Sequence, residues 1–330
     1  MKKIFALLLS AALLVTLLAA CGGGNTTDTD TDTQEPAADA STTQVEEQEP
    51  DTGDASKDDP LNQDEIGEKE LLVVSFGTSY NDSRRETIGA IEKAMQTAFP
   101  DYSVRRAFTS QIIIDHVTDR DGVTIDNVEQ ALERAVNNGV KTLVVQPTHL
   151  MNGLEYEELT DELAKYSDSF EKIAIGDPLL TSDADFEAVM TAITDATKDA
   201  ADGKTAICFM GHGTTADSNS VYSKMQTLLT DKGFNDYYVG TVEATPSLDD
   251  VLAAVQKGNY EKVILRPLMI VAGDHANNDM AGDEDDSWKS TFEKAGYTVD
   301  CQVEGLGQLE AIQQLFVEHA KAAVASAEAE

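Results

Sequence analysis

From Leu71 onward the chain alternates short apolar runs with amphipathic stretches, and the alternation runs through twice. Leu71–Phe76 is apolar apart from Ser75, the pattern of a strand buried on both faces of a parallel sheet. It ends in Gly77-Thr78-Ser79, after which Asn81 and Asp82 offer an N-cap for a helix over 84–99. Further strands are expected at 102–108, 142–146 and 172–176, with helices at 128–138, 155–166 and 184–201. The programme restarts at Thr205. Strands follow at 205–210, 237–241, 262–266 and 299–303, and helices at 221–232, 248–257, from 288 and from about 309. Such alternation builds parallel sheets covered by helices. The expected fold is therefore α/β, with two similar doubly wound parallel-sheet domains over 69–202 and 203–330 and a cleft between them.

The halves also match in detail. Phe76-Gly77-Thr78 aligns with Met210-Gly211-His212, each closing the first strand of its half. The third strands align through Pro147 and Pro267, and six residues later both halves have glycine, Gly153 and Gly273. Two residues beyond stand Glu155 and His275. A two-fold relating the halves would make Glu155 and His275 counterparts in one cleft, with Thr78 and His212 as the remaining pair. Ligands of open α/β sheets collect outside the carboxyl ends of the strands, where all four positions fall.

His212, His275 and Glu155 together would supply two imidazoles and a carboxylate with open positions. That donor set suits cobalt, nickel, iron or zinc, and its incompleteness is the mark of a working rather than a structural site. Histidine can hold a metal or take a proton, and Glu155 can do either; the sequence leaves the roles open. His212 lies between two glycines and His275 in the polar turn Gly273–Asp279, where packing gives no reason for imidazole. His319 and His116 read as structural or surface residues, with haem ligation a weaker alternative for His116. His149, at a strand end beside Pro147, either lines the cleft or supports it. Cys208 and Cys301 have no cysteine neighbour at metal or redox spacing and read as free thiols, a disulfide between them being the alternative.

The N-terminus carries a different message. Lys2 and Lys3 precede the apolar run Ile4–Leu18, and Leu18-Ala19-Ala20-Cys21 resembles a bacterial lipoprotein signal. Cleavage before Cys21 and lipidation of its sulfur are expected, anchoring the chain to the outer face of the cell membrane without a spanning helix. Residues 22–68 hold fifteen acidic residues against the single Lys57 and almost no large apolar side chains, so a disordered spacer is expected there. The whole chain is net −36, of which residues 69–330 carry −24. A chain this acidic is a poor partner for nucleic acid.

Longer motifs make the reading specific. Leu72–Tyr80, Arg106-Ala-Phe-Thr-Ser110, Asn152-Gly-Leu-Glu-Tyr-Glu157, Met210-Gly-His-Gly213 and Pro267–Ala276 resemble the anaerobic sirohydrochlorin cobalt chelatases of cobalamin synthesis. Asn278-Asp-Met-Ala281 and Asp286-Ser-Trp-Lys289 continue the match, which covers nearly all of residues 69–320. The resemblance implies the class II chelatase fold and insertion of Co2+ (or Fe2+ or Ni2+) into a tetrapyrrole. It places the metal-binding histidines on His212 and His275 and the metal-site glutamate on Glu155. No phosphate loop is present, so no nucleotide is expected. The tetrapyrrole's carboxylates call for local positive charge, for which Arg106, Lys289 and Arg266 are candidates; the acidic runs 115–121 and 283–286 are candidates for steering cations. Export is at odds with a substrate made inside the cell, and the alternative is an exported carrier of metal, haem or tetrapyrrole with the same fold. A homo-oligomer is compatible with either.

Overall fold

A computed structural model describes residues 52–329; the export signal, Cys21 and the spacer as far as residue 51 lie outside the described residues. The first half runs β1 (Lys69–Ser75), α1 (Asn81–Glu86), α2 (Ile88–Ala98), β2 (Ser103–Phe108), α3 (Gln111–Asp121), α4 (Val128–Asn137), β3 (Thr142–Pro147), α5 (Leu154–Ala164), β4 (Lys172–Ile175) and α6 (Asp183–Thr197). The second runs β5 (Thr205–Gly211), α7 (Ser220–Asp231), β6 (Tyr237–Thr241), α8 (Leu248–Val255), β7 (Lys262–Pro267), α9 (Trp288–Lys294), β8 (Thr298–Cys301) and α10 (Glu310–Ala329). Two four-stranded parallel sheets result, ordered β2-β1-β3-β4 and β6-β5-β7-β8. The two orders are the same, as the repeated pattern predicts.

The continuous apolar runs are explained by burial on both faces. In β1, Leu72 and Val74 point into an outer cluster with Leu132, Leu143 and Leu159. Leu71 and Val73 point the other way, into a cluster that also holds Ile207 and Phe209 of β5. The second sheet turns Ala206, Cys208 and Met210 toward its own outer cluster with Trp288 and Phe292. One central apolar layer is thus shared by both sheets, and the described residues form a single compact unit. Cys208 and Cys301 are free thiols. No helix among the described residues is long and apolar enough to cross a membrane.

Four features depart from the sequence reading. The helix expected over 84–99 breaks at Thr87, whose backbone the turn at Gly307 approaches so closely that a Cβ there would lie 2.9 Å from the Thr87 side chain. The run Ile112–Ile114 lies in a helix of its own, α3, closed by Gly122 at φ +67°. Two helices pack across the expected boundary between domains at 202. α6 packs on α7, with Thr197 Oγ1 2.9 Å from Tyr237 Oη, while α10 lies across β3 and β4, where Lys172 Nζ donates to the Ala327 carbonyl at 2.8 Å. His319 fastens the exchanged helices together, 3.0 Å from Asp185.

The spacer, finally, does not extend to residue 68. Asp58 forms ion pairs with Arg84 (2.6 Å) and Arg106 (2.7 Å), and Leu61 enters the central core. Buried guanidinium groups need buried counter-charges, and a segment read as solvent-loving by composition supplies one.

Candidate metal centre

The strand ladders continue one step past the strand ends, and that step places the site. Beyond the Gly211–Thr241 register, the Val242 N–H donates to Gly211 (3.0 Å) and the Glu243 N–H to His212 (2.9 Å). His212 and Glu243 therefore leave adjacent parallel strands side by side. In the first half, the Thr109 N–H donates to Ser75 (2.9 Å) and the Ser110 N–H to Phe76 (3.3 Å). By this register the counterpart of His212 is Phe76, not Thr78, and that of Glu243 is Ser110. The third strands pair Val74 with Pro147 and Met210 with Pro267, so Glu155 and His275 remain counterparts. The glycines agree with the two-residue correction: Gly77 and Gly213, next after Phe76 and His212, both have positive φ, +103° and +90°.

His212 and His275 come together at the carboxyl edge of the second sheet, ring centroids 4.7 Å apart and planes at 76°. Glu243 joins them, its Oε1 4.0 Å from His212 Nε2, and one ligand atom from each of the three lies within 4.8 Å of the others. Among the described residues this is the one cluster of three or more histidine, cysteine or acidic side chains so arranged. The other ring nitrogens are already engaged. His212 Nδ1 lies 2.8 Å from the Gly213 carbonyl and His275 Nδ1 2.8 Å from Asp279 Oδ2. Both partners can only accept, so each Nδ1 carries the hydrogen and each Nε2 keeps its lone pair. Asp279 is in reach because residues Ala276–Met280 form a turn of π-helix with His275 as its cap. Two imidazole nitrogens and a carboxylate, partly exposed, form a three-donor site with room for an exchanging ligand.

Glu155 lies outside this cluster. It stands in the first turn of α5 and lines, with Glu129, Glu158 and Glu162, a pocket of about 210 Å³ against the first sheet. The sequence reading missed Glu243, although its signal was present: a carboxylate two residues past the end of β6, the strand beside β5. His149 is half-buried, with both ring nitrogens shielded from solvent and without hydrogen-bond partners. Burial pulls its pKa down to about 4, against the pull of Glu155 upward. His116 is exposed on α3.

The cations expected to meet substrate carboxylates have other partners. Arg106 is buried, held by both carboxylate oxygens of Glu92 (2.7 and 2.6 Å) and both of Asp58 (2.7 and 3.0 Å). With these partners the guanidinium is left almost without contact with solvent. Lys289 pairs with Asp283 at 2.6 Å on the surface, and Arg266 with Gln302 and Glu304, each at 2.9 Å.

Contacts between the halves close the two carboxyl edges on each other. A Cβ on Gly273, two residues before His275, would lie 3.1 Å from Thr78 Oγ1; one on Gly153, two before Glu155, would lie 3.4 Å from Ser218 Oγ. The Ala272 N–H donates to Ser83 Oγ at 3.0 Å.

The sequence model of the cobalt chelatase (CbiK) family matches residues 69–325. A sirohydrochlorin cobaltochelatase of Salmonella typhimurium is 38% identical over 251 residues, covering 76% of this chain and 94% of that protein. The sirohydrochlorin cobaltochelatase CbiKC of Nitratidesulfovibrio vulgaris is 30% identical over 260 residues, 78% of this chain and 91% of its own length. Among solved structures, SirB from Bacillus subtilis with Fe3+ shares the fold, with a TM-score of 0.57 at 14% identity over 80% of this chain and 98% of that one. The chain belongs to the cobalt chelatase (CbiK) family.

Proposed function

We propose that the chain inserts Co2+ into sirohydrochlorin, holding the metal on His212, Glu243 and His275. The observation that carries this reading is the convergence of those three side chains, with both Nε2 lone pairs directed by Nδ1 anchors. A chelatase must hold its metal firmly enough to orient it and loosely enough to release it. Three donors leave coordination positions for a pyrrole nitrogen to enter before any protein ligand departs. Insertion of a divalent ion releases two protons from the pyrrole nitrogens. Each imidazole vacated by the metal can take one, and the Gly213 carbonyl and Asp279 carboxylate stabilise the resulting cation through Nδ1–H. Glu243 offsets part of the metal's charge while it waits.

The test is anaerobic absorbance of sirohydrochlorin with Co2+ and the chain lacking its first 21 residues. Formation of the cobalt complex well above the uncatalysed rate supports the enzyme. Binding of the tetrapyrrole without acceleration points instead to a carrier, the role that export of the chain favours.

Export and anchoring belong to the same proposal: Lys2, Lys3, the apolar run and Leu18-Ala-Ala-Cys21 support a lipoprotein facing outward from the cell membrane. Labelled palmitate entering the wild-type chain but not Cys21→Ala is the expected result. Equal labelling of both would overturn the anchor.

A further inference from the structure

Four large apolar side chains are exposed among the described residues, and three of them stand on one edge. Phe76 (49% exposed) follows β1, Ile112 (82%) opens α3 after β2, and Leu154 (54%) opens α5 after β3. The order β2-β1-β3 sets these three abreast, with Phe76 in the middle. Single exposed apolar residues need no explanation. Three along one edge of a chain with net charge −36 do, because nothing else about the surface favours apolar exposure.

The position of Phe76 is built rather than frayed. Its carbonyl accepts the Ser110 N–H, and the following Gly77 turns at φ +103°, where a Cβ would collide with the Phe108 ring at 2.5 Å. Phe76 is also the first half's counterpart of His212, as Leu154 is the neighbour of the counterpart of His275. The edge adjoins the metal-bearing loop at several points. A Cβ on Gly273 would come within 3.1 Å of Thr78 Oγ1, and Val271 packs against the cluster of Ile88, Phe108 and Ile114 that underlies α3. A Cβ on Gly153, next to Leu154, would lie 3.4 Å from Ser218 Oγ of the other half. Across the interface between the halves, one carboxyl edge presents metal ligands and the other presents apolar side chains.

A ligand that satisfies both edges is broad and apolar over its face and offers nitrogen donors to the metal. We infer that Phe76, flanked by Ile112 and Leu154, seats the apolar face of the tetrapyrrole while the second half presents the metal. This rests on the chelatase reading and adds to it the residues that hold the macrocycle. Arg106, Lys289 and Arg266, the cations expected to meet substrate carboxylates, are already paired, and apolar contact is what this edge has to offer the macrocycle.

The test uses the chain without its first 21 residues, wild type, Phe76→Ser, Phe76→Leu and Leu154→Ser. Sirohydrochlorin is titrated without metal by absorbance and fluorescence, and Co2+ without tetrapyrrole by its visible spectrum. Phe76→Ser is expected to weaken sirohydrochlorin binding about tenfold or more and Leu154→Ser by less, with Phe76→Leu restoring much of the loss and cobalt binding unchanged in all. Equal sirohydrochlorin affinity in wild type, Phe76→Ser and Leu154→Ser would overturn the inference. So would a shift of the unliganded chain to a smaller assembly in Phe76→Ser, since a second copy would then be what covers this edge. If the wild type itself binds no sirohydrochlorin, it is the chelatase reading that falls.

Discussion

The two halves share strand order, register and even the positive-φ glycines after their first strands, yet they present different chemistry at equivalent stations. Where the second half has His212, Glu243 and His275, the first has Phe76, Ser110 and Glu155. A doubled α/β scaffold fixes where side chains emerge, and each copy can then be furnished separately. One edge became a donor set and the other an apolar edge beside an acidic pocket. The candidate metal site thus draws its three donors from one half, while Glu155, the counterpart of His275, stands apart from them.

The largest effect that could break this comparison is loss of insertion. His212→Ala and His275→Ala are each expected to lower the rate of cobalt insertion by at least about a hundredfold with unchanged circular dichroism. Wild-type rates in both would remove the donor set. Next in size is the ion-pair cluster of the first half. Asp58→Ala leaves Arg84 and Arg106 buried without a shared counter-charge and should cost about 3–5 kcal/mol in urea unfolding. Retained stability with weakened tetrapyrrole binding would instead return Arg106 to the substrate.

The third prediction sharpens the contrast between carboxylates. Glu243→Gln and Asp279→Asn should each weaken Co2+ binding about 10–100-fold by titration, whereas Glu155→Gln should change it less than about threefold. The reverse order would put the metal on the first half. The smallest effect concerns His149. Its folded pKa of about 4 lies below the ordinary 6.5, so the unfolded chain binds the extra proton first as pH falls. Its contribution to stability is present above pH 6.5 and is lost as pH drops toward 4, by up to about 1.4 kcal/mol per pH unit. His149→Gln should flatten that stretch of the stability curve; an unchanged slope would mean the imidazole is solvated in the folded protein.

Much of this molecule was legible in the sequence. Apolar runs such as Leu71–Val74 and Ala206–Met210 determine strands buried on both faces, because a period-free apolar segment must be covered twice. The repeated order of strands and helices, the glycine spacings, and the isolation of His212 and His275 from any packing role are also local properties of the chain. Which side chains converge is not local. Glu243 rather than Glu155 joins the histidines because the β5–β6 ladder carries on past the strand ends, and a hydrogen-bond register forms only when the strands pair. Arg106 sits in a motif that looks like substrate binding, but its charge is taken up by Glu92 and by Asp58 of a segment whose composition reads as spacer. α6 and α10 cross to the opposite halves because their apolar faces complete the one core between the sheets. Sequence alone determined the scaffold and pointed to two of the candidate ligands; only tertiary packing, which decides distances between charges far apart in the chain, brought the third candidate beside them and paired the Arg106 guanidinium with Glu92 and Asp58.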